Sequence, residues 1–344
     1  MKYIDMHCDT LSIGMVEHRG SITKLNRSMV DIERLMGKGA EPATIAGVAA
    51  QFFAMFLPQR NMPGWFGLEE MPESEVLLEK MYDIFLRTLE ENENRMAHAQ
   101  SYEKMKENLQ AGKMSAFLTM ENGYPVNGKM ENLKRFHDMG VGLITLTWND
   151  ANCFGQNHSN DFTLMQKGLT SFGKEAIEYM NELGIVIDVS HLSDGGFYDV
   201  ARISKNPFVA SHSNCRELSP STRNLTDDMI RVLAEKGGVA GINFEPTFLN
   251  RNQEDKMSRV SCMCDHIEHF IKVGGVECVG IGTDFDGIEG QFEISDCTKM
   301  GLLFDELHRR GIGDDTIERI AFANVARVIK ESMKESQMNI FCKN

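Results

Sequence analysis

The sequence lacks any apolar run approaching the roughly 20 residues that a membrane-spanning helix needs. It is also short of positive charge, since 36 Lys and Arg residues stand against 50 Asp and Glu residues, giving a net charge of −14. A nucleic-acid-binding protein needs a basic surface for the phosphates, so this balance argues against such a partner. The apolar content of 42% and the charged content of 25% are ordinary for a globular protein. We therefore expect no membrane or nucleic-acid partner.

Signals for export are missing as well. The first predicted strand already begins at Tyr3, and no secretory leader precedes it. Residues 336–344 lack the apolar tail of a lipid-anchor signal. Without export, the eight cysteines are expected to be free thiols in a reducing compartment, and the spacing of Cys262 and Cys264 is not that of a zinc knuckle. These features predict a cytoplasmic protein.

Short β-rich runs alternate with amphipathic helical patterns from one end of the chain to the other. There are eight such runs, at residues 3–8, 45–54, 115–121, 141–148, 184–190, 207–212, 237–244 and 278–284. The run at 141–148 is nearly continuous in apolar and β-branched residues, which is typical of a parallel strand covered by helices. The alternation predicts an α/β fold, a TIM-like (β/α)8 barrel in a single domain spanning residues 1–344.

The helical patterns and one long loop complete this prediction. The patterns cover residues 75–91, 130–139, 168–183, 227–235 and 263–273, and C-terminal helices within 300–335 include one at 316–330. Thr226, followed by two aspartates, is typical of a helix start. A loop insertion near 55–75 carries Trp65 and follows the second strand, on the face where barrel active sites lie. It is either a wall or lid of the substrate pocket or an ordinary packed loop.

Side chains that bind metals stand at the ends of four of the predicted strands. The candidates are His7, Asp9, Glu121, His191 and His212. His7 and Asp9 point the same way, because side chains alternate along a strand. Five ligands exceed the three of a catalytic site with one zinc ion, but they suit two ions that share the Glu121 carboxylate. One ion would take His7 and Asp9. The other would take His191 and His212, and a water between the ions would become a hydroxide nucleophile.

Three further residues have chemistry that suits such a site. Asp284 closes the last predicted strand, where a carboxylate can take a proton from a metal-activated water and pass it to a leaving amine. Asp286 shares the same face by strand alternation. Either aspartate could instead orient a histidine ring through a hydrogen bond. Arg223 carries the planar fork that grips a carboxylate through two parallel hydrogen bonds, although most arginines are solvated surface residues.

Taken in order, these motifs resemble the membrane (renal) dipeptidase family of zinc peptidases. The matching segments are Ile4–Thr10, Met120–Gly123, Ile187–His191, Val209–Ser213, Thr222–Leu225, Asp265–Ile267 and Gly280–Gly287. The resemblance implies a (β/α)8 barrel that holds two Zn²⁺ per subunit and hydrolyses dipeptides. It also implies tolerance of a D-residue at the C-terminal position of the substrate and a possible homodimer.

The resemblance also implies a role for each candidate residue. The implied zinc ligands are His7 and Asp9 on one ion, His191 and His212 on the other, and Glu121 bridging both. Arg223 matches the family arginine that holds the C-terminal carboxylate of the substrate. Asp284 matches the acid that moves protons.

One position departs from the family pattern. Animal members have a histidine after the fourth strand, near the scissile carbonyl, where this chain has Trp148. The task of that histidine could pass to Asn149, Asn152 or His158, or the zinc ions could carry it alone. We take Asn149 as the candidate substrate-binding residue.

Two other functions fit the same residues. One is an amidohydrolase that acts on another small amide or ester. Related barrels often bridge their metals with a carboxylated lysine on the fourth strand, but residues 141–148 contain no lysine, which favours Glu121 as the bridge. The other is an inactive metal-binding homologue. The preferred prediction is a metal-dependent dipeptidase that acts on L-L and L-D dipeptides.

Overall fold

The computed structural model describes residues 1–39 and 47–336. The start of the predicted run 45–54, the C-terminal tail from residue 337 and Cys342 lie outside the described residues. Eight strands form the barrel: β1 (Tyr3–Cys8), β2 (Val48–Phe56), β3 (Met114–Glu121), β4 (Val141–Thr145), β5 (Val186–Asp188), β6 (Val209–Ala210), β7 (Val239–Ile242) and β8 (Val279–Ile281).

Each barrel strand pairs in parallel with the next, and β8 pairs back with β1. The ring is therefore closed, and the predicted (β/α)8 barrel is confirmed. Three further short strands lie outside it. Met96–His98 pairs with the start of β3, and Met257–Ser258 pairs with Gln291–Phe292.

Helices fill the connections between the strands and follow the last one. The α-helices are Thr10–Val16, Ile32–Leu35, Ser74–Glu91, Tyr102–Gln110, Met130–Asp138, Phe162–Met165, Ser171–Leu183, Asp194–Ile203, Asp227–Glu235, Pro246–Leu249, Val260–Gly274, Gly301–Arg309, Asp314–Glu318 and Asn324–Ser332. Short 3₁₀ turns occupy Pro63–Phe66, Tyr124–Val126, Val276–Cys278 and Cys297–Lys299, and a π-helical turn occupies Arg319–Ala323. Within the described residues, no helix is both long and apolar enough to cross a membrane.

Hydroxyl side chains decide where several of these helices begin. Thr226 accepts a hydrogen bond from the backbone N–H of Met229, as the sequence predicts for this start. The helix predicted to begin at residue 168 begins at Ser171 instead, because Thr170 caps it by accepting from the N–H of Gly173. The helix predicted at 263–273 begins earlier, at Val260.

The strands and the last helix share a buried cluster. It contains apolar side chains from seven of the barrel strands, together with Val325 and Ile329 of the helix Asn324–Ser332; the strand residues include Ile4, Phe52, Phe117, Leu143, Val186, Val209 and Val239. The C-terminal helices thus pack against the barrel, as predicted.

Two glycines let the backbone of neighbouring strands approach β6 closely. A Cβ atom on Gly241 would lie 2.0 Å from the carbonyl oxygen of Ser211, and one on Gly282 would lie 1.7 Å from the same atom. Neither position has room for a side chain. Ser211 directly precedes His212, so this close approach fixes the place where that histidine leaves the barrel.

Candidate active site

The predicted ligands meet at the carboxyl ends of the barrel strands, the face where active sites of such barrels lie. His7 is in β1, and Glu121 is the last residue of β3. Asp9, His191 and His212 follow strand ends. The strands predicted at 184–190 and 278–284 run too far, and His191 and Asp284 adopt a left-handed backbone, with φ of 66° and 61°. β5 and β8 end at Asp188 and Ile281, three residues before them.

Glu121 stands at the centre of the site and divides its two oxygens between two sets of histidines. Its Oε2 lies 3.7 Å from Nε2 of His7. Its Oε1 lies 3.1 Å from Nε2 of His191 and 3.5 Å from Nε2 of His212. The two latter Nε2 atoms are only 3.1 Å apart. Glu121 therefore presents one oxygen to His7 and the other to His191 and His212.

Carboxylates surround His7 on its other side. Its Nε2 lies 3.4 Å from Oδ2 of Asp9 and 3.7 Å from Oδ1 of Asp284. The donor atoms of His7, Glu121 and His212 lie within 4.8 Å of one another, as do those of His7, Asp9 and Asp284. Nε2 of His7 and Oδ1 of Asp9 are buried and have no hydrogen-bond partner among the residues that the structure describes. Buried polar atoms need a partner, and imidazole and carboxylate groups are zinc ligands, so the cluster fits a metal.

The electrostatics of the cluster follow from its burial and its charges. Burial, reinforced by the negative charge of Glu121, raises the pKa of Asp9 to about 6. Burial also raises the pKa of Asp284 well above its ordinary value. For His191 and His212, burial lowers the pKa well below the ordinary value. Both imidazoles are therefore neutral near pH 7 and can offer a nitrogen lone pair.

A hydrogen-bonded layer holds the histidines from behind. Nδ1 of His212 lies 2.7 Å from Oγ of Ser211, and this hydroxyl donates to the Asp188 carboxylate. Asp188 also accepts hydrogen bonds from the backbone N–H groups of Ser190 and Ser211. Sequence reasoning missed the role of Asp188. The available signal was a carboxylate inside a short run of buried apolar residues, where it must have partners.

Asp284 and Asp286 have different surroundings, so the prediction that they share one face is wrong. Asp284 accepts a hydrogen bond from Nδ2 of Asn243 on Oδ2, while Oδ1 faces His7. Asp286 turns away and accepts hydrogen bonds from Thr10, Ser28 and the N–H of Met29. Strand alternation fails here because both aspartates have positive φ, 61° and 71°. Asn243 was not found from the sequence.

Arg223 is buried beside the site. Its guanidinium donates to Oγ of Ser213 and to the carbonyl oxygen of His212, at 3.3 and 3.1 Å. It also lies over the ring of Phe248, 5.1 Å from the centroid. Burial lowers the pKa of Arg223 to about 10, so it stays charged at neutral pH. Its Nε atom is buried and has no hydrogen-bond partner within residues 1–39 and 47–336.

A cavity of about 280 Å³ opens onto the cluster. One wall is apolar and is formed by Phe56, Trp65, Trp148, Phe248 and Ile288. The polar lining comprises Asp9, Glu121, Asn149, His191, Glu245, Thr247, Asp284 and Glu289. The loop that follows β2 therefore supplies part of the pocket wall through Trp65.

Of the three residues predicted to replace the family histidine, only Asn149 lines the cavity. Its Oδ1 lies 3.1 Å from Nδ1 of His191 and 2.9 Å from Nε2 of His158. Asn152 uses its amide to donate to Asn122 and to a backbone carbonyl, so it is a structural residue. Trp148 contributes to the aromatic wall, with its ring 4.9 Å from that of Phe56.

The loops after β2 and β4 are fastened to each other at the mouth of the cavity. Nε of Arg60 donates to the Asp150 carboxylate at 2.7 Å, and Nη2 donates to the carbonyl oxygen of Asn149 at 2.6 Å. The guanidinium also lies 5.8 Å from the centre of the Trp148 ring. We call this set of contacts the Arg60 clasp.

The comparison with known proteins agrees with this geometry. The family model of membrane dipeptidases, peptidase family M19, matches residues 1–339. The chain belongs to this family, and it is therefore a metal-dependent dipeptidase, a hydrolase of small peptides.

Among curated relatives, an uncharacterised dipeptidase of Schizosaccharomyces pombe is 35% identical over 224 residues, 64% of this chain and 54% of that protein. Rat Dipeptidase 3 is 30% identical over 224 residues, 64% of this chain and 45% of that protein. The matched regions thus span about half the length of these two relatives. The dipeptidase verJ of Clonostachys rogersoniana is 28% identical over 313 residues, 90% of this chain and 77% of that protein.

Two solved structures share the fold over nearly the whole length. The dipeptidase AC, a metallopeptidase of family M19, has a TM-score of 0.84 at 25% identity and covers 97% of this chain and 99% of its own. A metallopeptidase from Rhodobacter sphaeroides, bound to a phosphinate mimic of the dipeptide L-Ala-D-Ala, has a TM-score of 0.85 at 24% identity and covers 96% of this chain and 99% of its own.

Proposed function

We propose that this protein is a binuclear zinc dipeptidase that hydrolyses L-L and L-D dipeptides. The observation that carries the proposal is the position of Glu121, which presents one oxygen to His7 and the other to His191 and His212. A bridging carboxylate needs this division, whereas a site for one ion does not.

The charge of the cluster supports the same proposal. Asp9, Glu121 and Asp284 bring three carboxylates together in a buried site, which is costly without compensating positive charge. Arg223 is the basic side chain beside them, and two of its nitrogens are already engaged. Cations held by imidazole and carboxylate groups would supply the missing charge, and this ligand set suits zinc.

Each proposed role uses an atom that the protein leaves available. Zinc held by His7, Asp9, Glu121, His191 and His212 would supply a water of lowered pKa and positive charge for the developing oxyanion. Asp284 would hold a proton on Oδ1 and deliver it to the leaving amine, while Asn243 holds Oδ2 in place. Arg223 attracts the C-terminal carboxylate of the substrate, and Asn149 binds the substrate at the cavity wall.

The cavity also supports a small substrate. Its volume of about 280 Å³ is near the lower end of the roughly 300–1,000 Å³ that is usual for ligand pockets. The Rhodobacter sphaeroides relative binds a mimic of L-Ala-D-Ala, which supports including D-residues among the substrates to be tested.

The proposal can be tested with metal-quantified protein and a panel of L-L and L-D dipeptides. We expect two zinc ions per chain, release of free amino acids, and loss of activity on chelation that zinc restores. Glu121→Gln should lose metal and activity together, whereas Asp284→Asn should keep metal and lose kcat by roughly 100-fold or more. Full activity after verified metal removal would overturn the proposal.

A second comparison tests the substrate class. Arg223→Ala should weaken hydrolysis of a free dipeptide more than hydrolysis of the same dipeptide with an esterified carboxyl group. Equal losses on both substrates would favour an amidohydrolase that does not recognise a C-terminal carboxylate.

A further inference from the structure

Asn149 connects the proposed metal cluster to the cavity through opposite ends of one amide. Its Oδ1 lies within hydrogen-bond distance of ring nitrogens of both His191 and His158. The residue also lines the cavity, and Nδ2 has no hydrogen-bond partner among the described residues. One end of the amide is therefore fully engaged, while the other is free to meet a ligand.

The protonation of the His191 ring determines which atom of the Asn149 amide is the oxygen and which is the nitrogen. Its Nε2 faces Glu121 at 3.1 Å and is the atom placed to bind a metal. A neutral imidazole that offers Nε2 as a lone pair carries its proton on Nδ1. Nδ1 of His191 must then donate, so the atom of Asn149 facing it must be the carbonyl oxygen. Reversing the amide would place two donors face to face.

His158 reinforces this orientation. Its Nε2 lies 2.9 Å from Oδ1 of Asn149, and its Nδ1 lies 3.0 Å from Oγ1 of Thr222, whose hydroxyl can donate to it. The backbone N–H of His158 donates to the carbonyl oxygen of His191 at 2.7 Å. Two ring N–H groups can thus converge on one amide oxygen, which uses both of its lone pairs.

The cavity has many carboxylates and few hydrogen-bond donors. Asp9, Glu121, Asp284, Glu245 and Glu289 all line it. The hydroxyl of Thr247 already donates to Glu245. An oxygen that gains negative charge among these carboxylates needs a donor that is already in place. Besides the amide of Asn149, the described lining carries the indole N–H groups of Trp65 and Trp148, and the ring centre of Trp148 is 6.2 Å from that of His191.

We propose that Asn149 is a catalytic residue whose Nδ2 donates a hydrogen bond to the carbonyl oxygen of the scissile amide, and that His158 is a positioning residue that holds this amide in the donating orientation. This inference rests on the proposed dipeptidase function. It assigns to Asn149 a donor role at the reacting carbonyl, beyond simple contact with the substrate.

The decisive variant is Asn149→Asp, which keeps an oxygen for His191 and His158 but removes the Nδ2 donor. We would measure zinc content, kcat, KM and the dissociation constant of a phosphinate dipeptide mimic, whose tetrahedral oxygens imitate the attacked carbonyl. We expect unchanged zinc content, a kcat about 100-fold lower, and phosphinate binding weakened by a similar factor. Asn149→Ala, which adds no charge, should show the same loss of kcat at saturating zinc.

Matched variants separate the alternatives. Asn160→Asp adds the same charge at an exposed asparagine of the same loop and should leave every measurement unchanged. Trp148→Phe keeps an aromatic wall and removes only the indole N–H, so its kcat reports whether Trp148 supplies the donor in place of Asn149. His158→Ala should lower kcat about 10-fold at constant zinc content, and His158→Gln, which can still donate to Asn149, should restore most of it.

The outcomes are distinguishable. If Asn149→Asp keeps wild-type kcat and phosphinate affinity, Asn149 merely orients His191 and the inference is overturned. It is equally overturned if Trp148→Phe shows the large loss instead. Wild-type protein that binds zinc but cleaves no dipeptide would overturn the proposed function itself, and this inference with it.

Discussion

At the scale of single residues, the sequence was informative where a side chain has few alternative uses. Histidines and acids at the ends of apolar runs predicted a cluster, and the structure brings His7, Asp9, Glu121, His191 and His212 together. Residues that orient them, such as Asp188 and Asn243, could not be identified. Their roles depend on contacts between strands that are distant in the chain, and no spacing in the sequence records such contacts.

Asp9 gives a prediction for the metal-free protein. Its pKa is raised from 3.8 to about 6, so the folded state favours the protonated carboxyl. The folded protein therefore pays a free-energy penalty for ionising Asp9, which is absent below about pH 4 and complete above about pH 6. In metal-free protein, Asp9→Asn should therefore raise the free energy of unfolding at pH 7.5 by ~3 kcal/mol and should have little effect at pH 4.

Urea unfolding of chelator-treated protein at the two pH values measures this difference. With zinc added at pH 7.5, Asp9→Asn should instead be less stable than the wild type, because the variant lacks a proposed zinc ligand. A metal-free variant that is no more stable than the wild type at pH 7.5 would contradict the account.

At the scale of elements, the order of strands and helices could be predicted, but several of their ends could not. Alternating apolar runs located all eight barrel strands. β5 and β8 end three residues before His191 and Asp284, which take a left-handed backbone that residue type does not indicate. The predicted helix starts agree after Thr226, where the capping residue was recognised, and at Met130, but they miss Ser171 and Val260 by three residues each.

Gly282 gives a prediction at this scale. Because a Cβ atom there would lie 1.7 Å from a backbone oxygen, Gly282→Ala must displace β6 or β8. We expect a loss of stability of about 1–3 kcal/mol or more. Zinc affinity should also weaken, because the clash displaces Ser211, and His212 directly follows it in the chain.

Gly313→Ala is the matched control, because nothing lies within 4 Å of the added atom. It should cost about 0.5–1 kcal/mol, because Gly313 is the N-cap residue of the helix Asp314–Glu318 and alanine is a poorer N-cap than glycine. Thermal unfolding and zinc competition titrations measure both variants. If the two variants were equally stable, the backbone around Gly282 would be able to shift at little cost, contrary to this prediction.

At the scale of the whole molecule, the cluster joins parts of the chain that are far apart in sequence. His7 comes from the first barrel strand, Glu121 from the third, His212 from the end of the sixth, and Asp284 from beyond the eighth. Ions held among them would tie the ends of the barrel wall to its middle, so ligand binding and folding stability should be linked.

Zinc should therefore raise the melting temperature of the whole protein. Saturation at about 1,000 times Kd adds roughly 4 kcal/mol per site, which corresponds to a rise of roughly 5–10 °C for a domain of this size. Calorimetry of chelated and reconstituted protein measures the rise. Glu121→Gln should lose most of it, while Asp284→Asn should keep it. An unchanged melting temperature would indicate that no ion binds in the folded barrel.

The Arg60 clasp makes the pocket sensitive to the surrounding electrolyte. Arg60 and Asp150 have side chains 53% and 34% exposed, so dissolved salt reaches their ion pair. The range of electrostatic attraction falls from about 8 Å at physiological ionic strength to about 3 Å at 1 M. In concentrated NaCl the two loops should separate more easily and loosen the aromatic wall. KM for a tryptophan-containing dipeptide should then rise up to several-fold, while KM for Ala-Ala and the zinc content stay constant, and Arg60→Gln should abolish this salt response.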